Sequence, residues 1–381
     1  QAQEKKTLPA PWTIEDIIYQ ERAFDFNLSP DGQKVVWVKN TPDREKDTRV
    51  SHLFLSLTGQ QKNSQPVQLT RGHSSESRPR WSPSGQQIAF LSARQESGQA
   101  ESDQAVTGQQ LWLLDIRGGE PVRITDLEFG LINFAWIDDY HLLILARETR
   151  TLKEIKEKER KDDSIIFEDQ EHLIPQRLFI YCLKEKKWHR LTENRDQITN
   201  FYLSPDRKLV ITSNNQSLSY ENDKKIKPKF FLIKLEDKSS REIFPEDFFK
   251  PDGIFWDKNN QGFYFSVMKT SDPVNETAGA DFLYYYDLKI DGYREINLNW
   301  EAGLMEPYLL VKNDGFIAPL AAGARPKWRR YYRQAEDFSF EEIEGEHYPQ
   351  IYNLTGQENG DWVVYNYTTA SRPGVWYFGH L

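Results

Sequence analysis

The stretch SPDGQKVVWV, residues 29–38, returns in altered spelling as SPSGQQIAFL at 82–91 and as SPDRKLVITS at 204–213. Each copy opens on a turn whose residues have separate jobs. Ser and Asp bond back to the amides that follow, Pro fixes φ at the second turn position, and Gly accepts a positive φ at the exit. The turn reverses the chain and delivers an apolar strand.

Around Ser82 the surrounding unit can be read in full. RPRW (78–81) is a short strand, SPSG a turn, IAFLSA a second strand, LWLLDI (111–116) a third and PVRIT (121–125) a fourth, each apolar run bounded by turn residues. The same template fits seven times, the later copies degenerate. Second strands fall at Lys34–Lys39, Gln87–Ala93, His141–Ala146, Leu209–Ser213, Gly262–Val267, Gly315–Leu320 and Asp361–Tyr367. Third strands follow as HLFLSL, QLWLLDI, RLFIYCL, FFLIKL, FLYYYDL, RRYYRQ and VWYFGH. A four-stranded antiparallel unit recurring about every 50 residues is the signature of a β-propeller blade. The expected fold is therefore all-β, a seven-bladed β-propeller with a short N-terminal helix; the competing reading is a β-sandwich with chance SPDG turns. The blades are expected near 24–72, 73–126, 127–195, 196–248, 249–299, 300–346 and 347–381, after an N-terminal segment at 1–23.

Composition agrees with strands. The 381 residues carry 11 Trp, 18 Tyr and 22 Phe, and flat rings suit a pleated, half-buried surface. A net charge of −9 argues against a general nucleic-acid binder, which would present a basic face. No apolar run reaches the ~18 residues of a membrane-spanning helix. The single cysteine, Cys182, excludes an internal disulfide and reads as a small core or edge residue.

Three segments lie outside the repeat. TIEDIIYQERA (13–23) reads as a helix with Thr13 as N-cap and Asp16 completing a capping box, expected to pack against another element. The polar run 93–110 reads as a loop, and 147–175, with alternating charges, as a solvated segment able to form one short helix. The start, QAQEKKTLPAPW, looks like what remains after a signal peptide is removed; an artificial start would look the same. The last blade supplies PQIYNL, DWVVYNYT and GVWYFGHL and then the sequence stops, leaving an uncovered edge. Either an N-terminal segment supplies the fourth strand or, as we expect, the natural polypeptide continues.

PWTIEDI (11–17), FNLSPDGQKVVWV (26–38), RPRWSPSGQQIAFLS (78–92), KERKDDSIIFED (158–169) and HRLT (189–192) together resemble the N-terminal propeller of the prolyl oligopeptidase family of serine peptidases. The acylaminoacyl-peptidase and dipeptidyl-peptidase-like bacterial branch is the nearest. SPDG is shared with Tol-type periplasmic propellers, so the specific weight rests on TIEDI and KERKDDSIIFED. The resemblance implies a propeller capping an α/β-hydrolase domain that follows it in the same polypeptide, with the active site between them and oligopeptides as substrates.

The residues present hold little chemistry of their own. A hydrolase nucleophile sits in G-x-S-x-G on a strand-to-helix turn, and that motif is absent. GHSSE (72–76) lacks the second Gly, and SVMK (266–269) stands without the companions of a Ser–Lys site. His52, His73, His141, His172, His189, His347 and His380 are scattered, with no metal-ligand spacing, and no Gly-rich phosphate loop occurs. In dipeptidyl-peptidase relatives, propeller acids grip the substrate's amine. Here Asp138–Asp139 occupy a turn, while Asp162–Asp163 and Glu341–Glu342 lie in charged stretches, and all read as structural. No catalytic, substrate-binding or metal residue is assigned, and no cofactor is expected. Sequons at Asn215, Asn275, Asn353 and Asn366 matter only in a eukaryotic source.

The expectation is a non-catalytic propeller of an exported serine peptidase, periplasmic or extracellular, gating peptides for a hydrolase domain. The rival is a free-standing Tol-type periplasmic propeller acting as a protein-interaction scaffold. A sugar-cleaving propeller would need converging acids and arginines that sequence spacing does not place.

Overall fold

The structure, a computed structural model, describes residues 13–59, 65–94, 108–148, 156, 160, 174–217, 225–244, 251–270, 279–306, 308–334, 337–358, 360–369 and 372–380. Among the described residues the named elements are one helix turn, α1 (Ile14–Ile18), a single 3-10 turn and strands. The first meander is β1 (Arg22–Leu28), β2 (Lys34–Asp43), β3 (Thr48–Leu57) and β4 (Val67–Gln68). The second is β5 (Glu76–Trp81), β6 (Gln87–Ser92), β7 (Gln110–Asp115) and β8 (Val122–Arg123). The third comprises β9 (Leu131–Trp136), β10 (His141–Arg147), β11 (Gln176–Cys182) and β12 (Lys187–Arg190). The fourth comprises β13 (Gln197–Leu203), β14 (Leu209–Asn215), β15 (Lys229–Lys234) and β16 (Ser240–Ile243). One parallel pair, Gln176 with Gln197, joins these two into a single sheet.

The fifth meander is β17 (Gly253–Trp256), β18 (Gly262–Lys269), β19 (Ala280–Asp287) and β20 (Gly292–Glu295), and the sixth β21 (Leu310–Lys312), β22 (Gly315–Ala322), β23 (Arg325–Gln334) and β24 (Asp337–Glu342). The last is β25 (Ile351–Gly356), β26 (Trp362–Thr369) and β27 (Arg372–His380), three-stranded among the described residues. The fold is a β-propeller type of serial antiparallel meanders, as the repeat predicts.

The turn chemistry is the one read from SPDG. Ser29 N–H donates to the Lys34 carbonyl (2.9 Å) and Gly32 N–H to the Ser29 carbonyl (2.9 Å). The Ser29 hydroxyl donates to Asp31 Oδ1 (2.6 Å) and accepts from Lys34 N–H (2.9 Å). Gly32 and Gly85 both take φ +70°, which glycine adopts without a Cβ clash. Later copies tolerate the same backbone with Arg207 (φ +62°) and Asn260 (φ +57°) in the glycine position. In the seventh meander Gln357 stands for the serine, and its N–H still reaches the carbonyl five residues on, that of Trp362 (2.8 Å).

The chain divides into two compact units. One holds residues Gln1–Ala105 and Gln109–Thr125, the other Val106–Gly108 and Asp126–Leu381. In the first, two meanders meet through Val38, Leu53, Phe90, Trp112 and Leu114, and through Val36, Trp81 and Ile88. Trp81 donates its indole N–H to the Asn27 carbonyl (3.0 Å), while its backbone N–H takes Asn27 Oδ1 (3.0 Å). In the second unit Trp256 repeats that indole bond onto the Tyr202 carbonyl (2.9 Å), at the same separation of 54 residues.

Strand alternation explains why these strands are apolar on both sides. On β19, Tyr284 and Tyr286 pack toward the fourth meander with Phe230 and Leu232, while Leu283 and Tyr285 pack toward the sixth with Phe316 and Tyr331. Successive side chains point to opposite faces, and each face meets a neighbouring sheet. A second recurring device ties outer strands: the hydroxyls of Thr70, Thr125 and Thr192 accept the backbone N–H of Leu53, Leu111 and Leu178 at 2.9, 2.9 and 3.1 Å.

Two expectations are corrected. The helix expected over 13–23 ends at Ile18, because Arg22 and Ala23 already pair with Asn40 and Lys39 in β1. The capping box forms, with Asp16 N–H on the Thr13 hydroxyl (3.1 Å) and Thr13 N–H on Asp16 Oδ2 (2.9 Å). The helix does not pack: none of its residues is buried, and Ile14, Ile17 and Ile18 are exposed. It is tethered instead by Arg49, which donates to the carbonyls of Ile18 (3.3 Å) and Gln20 (2.6 Å). Most of the 93–110 and 147–175 insertions, including 158–159, Asp162–Asp163 and His172, lies outside the described residues, as does Asn275.

Candidate functional site

Charged side chains of the second unit converge where the turns between first and second strands meet. Each turn is braced by the next: Asp206 N–H donates to Asn260 Oδ1 (3.0 Å), and Asn259 Nδ2 donates to the Asn313 carbonyl (3.4 Å). The turn of the seventh meander closes on this row. Glu358 pairs with Arg207 of the fourth, and its carbonyl accepts from Lys258 Nζ of the fifth. Lys312, nearly buried at the end of β21, pairs with exposed Asp361 (3.1 Å), and Arg330 with Asp314 (3.2 Å).

The electrostatics follow from crowding. Burial holds Lys258 below the ordinary lysine range; Lys312 and Arg207 push the same way, and Glu358 opposes them. The hydrogen bond and charge of Lys312 hold Asp361 below the usual carboxylate range. Such a cluster can grip carboxylates and peptide carbonyls, yet it offers no nucleophile and no base aligned on one.

The residues singled out in the sequence do not assemble a catalytic centre among the described residues. His52 Nδ1 meets Glu76 Oε2 at 3.0 Å, the acid–base half of a triad. The side chain of Glu76 is fully buried, also pairs with Arg94, and takes the Thr70 hydroxyl (2.8 Å). The Ser75 hydroxyl of GHSSE accepts from Ser51 N–H (3.1 Å), and among the described residues no hydroxyl bonds to His52. Ser266 and Lys269 of SVMK lie on β18, where a separation of three residues places them on opposite faces. Ser266 is buried, and Lys269 is spent on Glu295 (2.6 Å).

Of the acid pairs, Asp138, Glu341 and Glu342 have local partners. Asp138 takes the N–H groups of Tyr140 (2.7 Å) and His141 (2.9 Å), closing the β9–β10 turn. Glu342 pairs with Lys327 (2.6 Å) and Arg329 (3.3 Å), and Glu341 with the Tyr332 hydroxyl. His347 stacks on Tyr367 and bonds the Tyr365 hydroxyl (2.9 Å), and Cys182 is buried in β11. No three His, Cys, Asp or Glu side chains converge as metal ligands among the described residues. None of the described helices is long and apolar enough to cross a membrane. Sequence reading missed the Arg207–Lys258–Glu358 convergence entirely. Its signal is faint: charged residues sit within or beside equivalent turns, and only the closing of the row brings them together.

No protein-family model matches the chain. Over 229 residues it is 27% identical to an uncharacterized peptidase of Bacillus subtilis, YuxL, a match covering 57% of this chain and 32% of that protein. It therefore spans about a third of the length of this curated relative. Among solved structures, the β-propeller domain of the trilobed protease from Pyrococcus furiosus, described as having an open velcro topology, superposes with a TM-score of 0.59. The match has 14% identity and covers 94% of this chain and 92% of that one. Acylaminoacyl peptidase from Pyrococcus horikoshii superposes with a TM-score of 0.63 at 15% identity, covering 97% of this chain and 53% of the other. Repeat, strand order and superposition agree on the fold: this chain is similar to the β-propeller domain of the trilobed protease and to the acylaminoacyl peptidase over nearly its whole length.

Proposed function

We propose that this chain is the non-catalytic, seven-bladed propeller of an exported prolyl oligopeptidase-family serine peptidase, selecting oligopeptides for an α/β-hydrolase domain that follows it. The observation that carries this reading is the superposition of nearly the whole chain on about half of an acylaminoacyl peptidase. The kinship with a curated peptidase supports it. In this reading the turn cluster of Arg207, Lys258 and Glu358 narrows one end of the propeller. Folded proteins are kept out, and short chains reach a cavity from which bulk water is excluded during acyl transfer.

The test is to read the gene past Leu381 and to assay both the chain and its extended form on short peptides. The expected extension is one domain of about 250 residues with G-x-S-x-G, then Asp, then His. The extended protein cleaves peptides, and the 381-residue chain alone does not. A stop codon directly after Leu381 would overturn the reading in favour of a free-standing scaffold. Turnover by the chain alone, abolished by a serine-directed reagent, would overturn it in favour of catalysis within these residues.

A further inference from the structure

A cavity of about 240 Å³ is lined by β19, β20 and the turn joining them in the fifth meander, and by Arg333 and Phe338 of the sixth. It is smaller than the usual site for a drug-sized molecule, so it suits a small guest. Arg333, near the end of β23, is held from one side. Its backbone N–H donates to the Asp314 carbonyl (2.7 Å), and its Nη2 donates to Asp257 Oδ2 (2.9 Å) and to the Tyr264 hydroxyl (2.8 Å). The N–H groups of Nε and Nη1 have no hydrogen-bond partner among the described residues, and, unlike the Nε atoms of Arg329 and Arg330, they are not sealed from solvent.

The acid that holds Arg333 is fully engaged. Buried Asp257 also accepts from the Tyr285 hydroxyl (2.9 Å) and from Asn259 N–H (3.1 Å). Burial and the charge of Asp257 push the Tyr285 hydroxyl above the ordinary tyrosine range, so it stays a neutral donor. The Arg333 guanidinium carbon lies 4.8 Å from the centroid of the Tyr285 ring, which lines the same cavity. Arg294 brings a second guanidinium to the lining, and Phe338 and Ile290 supply apolar surface. Asp287, the acid of the lining, commits Oδ1 to the N–H groups of Lys289 (2.8 Å) and Ile290 (3.3 Å). A positioned guanidinium with unmet donors matches the planar fork of a carboxylate. The charge of Asp287 disfavours a dianion such as phosphate.

We infer that this cavity binds a small organic monocarboxylate, its charged head on Arg333 and Arg294 and its apolar body against Phe338 and Ile290. The guest needs neither an amine nor a peptide bond. The site lies wholly within the second compact unit, so it stands or falls separately from the peptidase reading.

The test uses the 381-residue chain and benzoate in calorimetric titration at fixed ionic strength, with benzamide, which keeps the shape and lacks the charge, as control. The expected result is saturable one-to-one binding of benzoate and at least about tenfold weaker binding of benzamide, as loss of charge-assisted hydrogen bonds requires. Arg333→Lys keeps a cation facing Asp257 but removes the planar donor edge, and it weakens benzoate binding by at least about tenfold. Ile290→Asp places a repelling charge at an exposed position of the β19–β20 turn, and it weakens benzoate binding with an unchanged unfolding midpoint. Should Arg333→Lys fail to fold, the benzamide and Ile290→Asp arms decide alone. Equal affinity for benzoate and benzamide, undiminished binding in either folded variant, or no saturable binding by the wild-type chain overturns the inference. So does inorganic phosphate binding this cavity more tightly than benzoate.

Discussion

Arg207 in the turn of the fourth meander is paired with Glu358 in the turn of the seventh, 151 residues later. In a straight row of sheets these turns would be separated by two intervening meanders. The contact therefore reports that the second unit curls, bringing turn ends together on one side. Glu358 is half-exposed, so its pair with Arg207 is modest and screened. Glu358→Gln is expected to cost up to about 1 kcal/mol in low salt, with the difference shrinking toward zero near 1 M salt. Denaturant titrations at the two ionic strengths measure this, and a salt-independent loss would contradict a Coulombic role.

Lys258 supplies a pH signature of the same cluster. Its folded pKa lies below the ordinary 10.5, so the charged form is disfavoured on folding. Between the lowered folded value and 10.5 the unfolded chain binds more protons, and stability contributed by this residue rises with pH. Lys258→Met is expected to be more stable than wild type near neutral pH and to lose that advantage as pH approaches 10.5. Unfolding midpoints from pH 7 upward provide the comparison.

Glu76 tests a buried charge. Its fully buried carboxylate is shared by Arg94, His52 and Thr70. Removing one member of such a set leaves the guanidinium uncompensated, at a cost of about 3–5 kcal/mol. Glu76→Leu is expected to fall in that range by urea denaturation, and the double change with Arg94→Met to recover much of it. If the double variant is no better than the single one, the destabilisation comes from packing rather than charge.

Gly85 isolates backbone strain. It holds φ +70°, and a Cβ there would meet only the Pro30 ring, at ordinary contact distances of 3.5 Å to Cδ and 3.9 Å to Cγ. Gly85→Ala is therefore expected to cost about 1–2 kcal/mol from the left-handed backbone alone. A loss well above this in equilibrium unfolding would point to a clash instead.

Local chemistry was readable from the chain. The SPDG phrase carries its own turn instructions, so strands from Lys34 to Tyr367 fall where the phrase places them, even where Gln357 replaces Ser. Periodicity failed at α1 because helix propensity over 13–23 is a local quantity, whereas Arg22 and Ala23 are claimed by pairing with β2. The indole bonds of Trp81 and Trp256 had a usable sign, a tryptophan one residue before the turn at both places. The Arg207–Glu358 contact had none, since it arises from the juxtaposition of sheets distant in sequence.

The alternating side chains of β19 have a mechanical corollary. Because the same strand feeds Tyr284 and Tyr286 to one neighbour and Leu283 and Tyr285 to the other, loosening either junction disturbs the footing of its opposite. Damage introduced at one sheet then spreads along the series as in a row of coupled springs. The sheets of the second unit should consequently melt in concert rather than peel away singly.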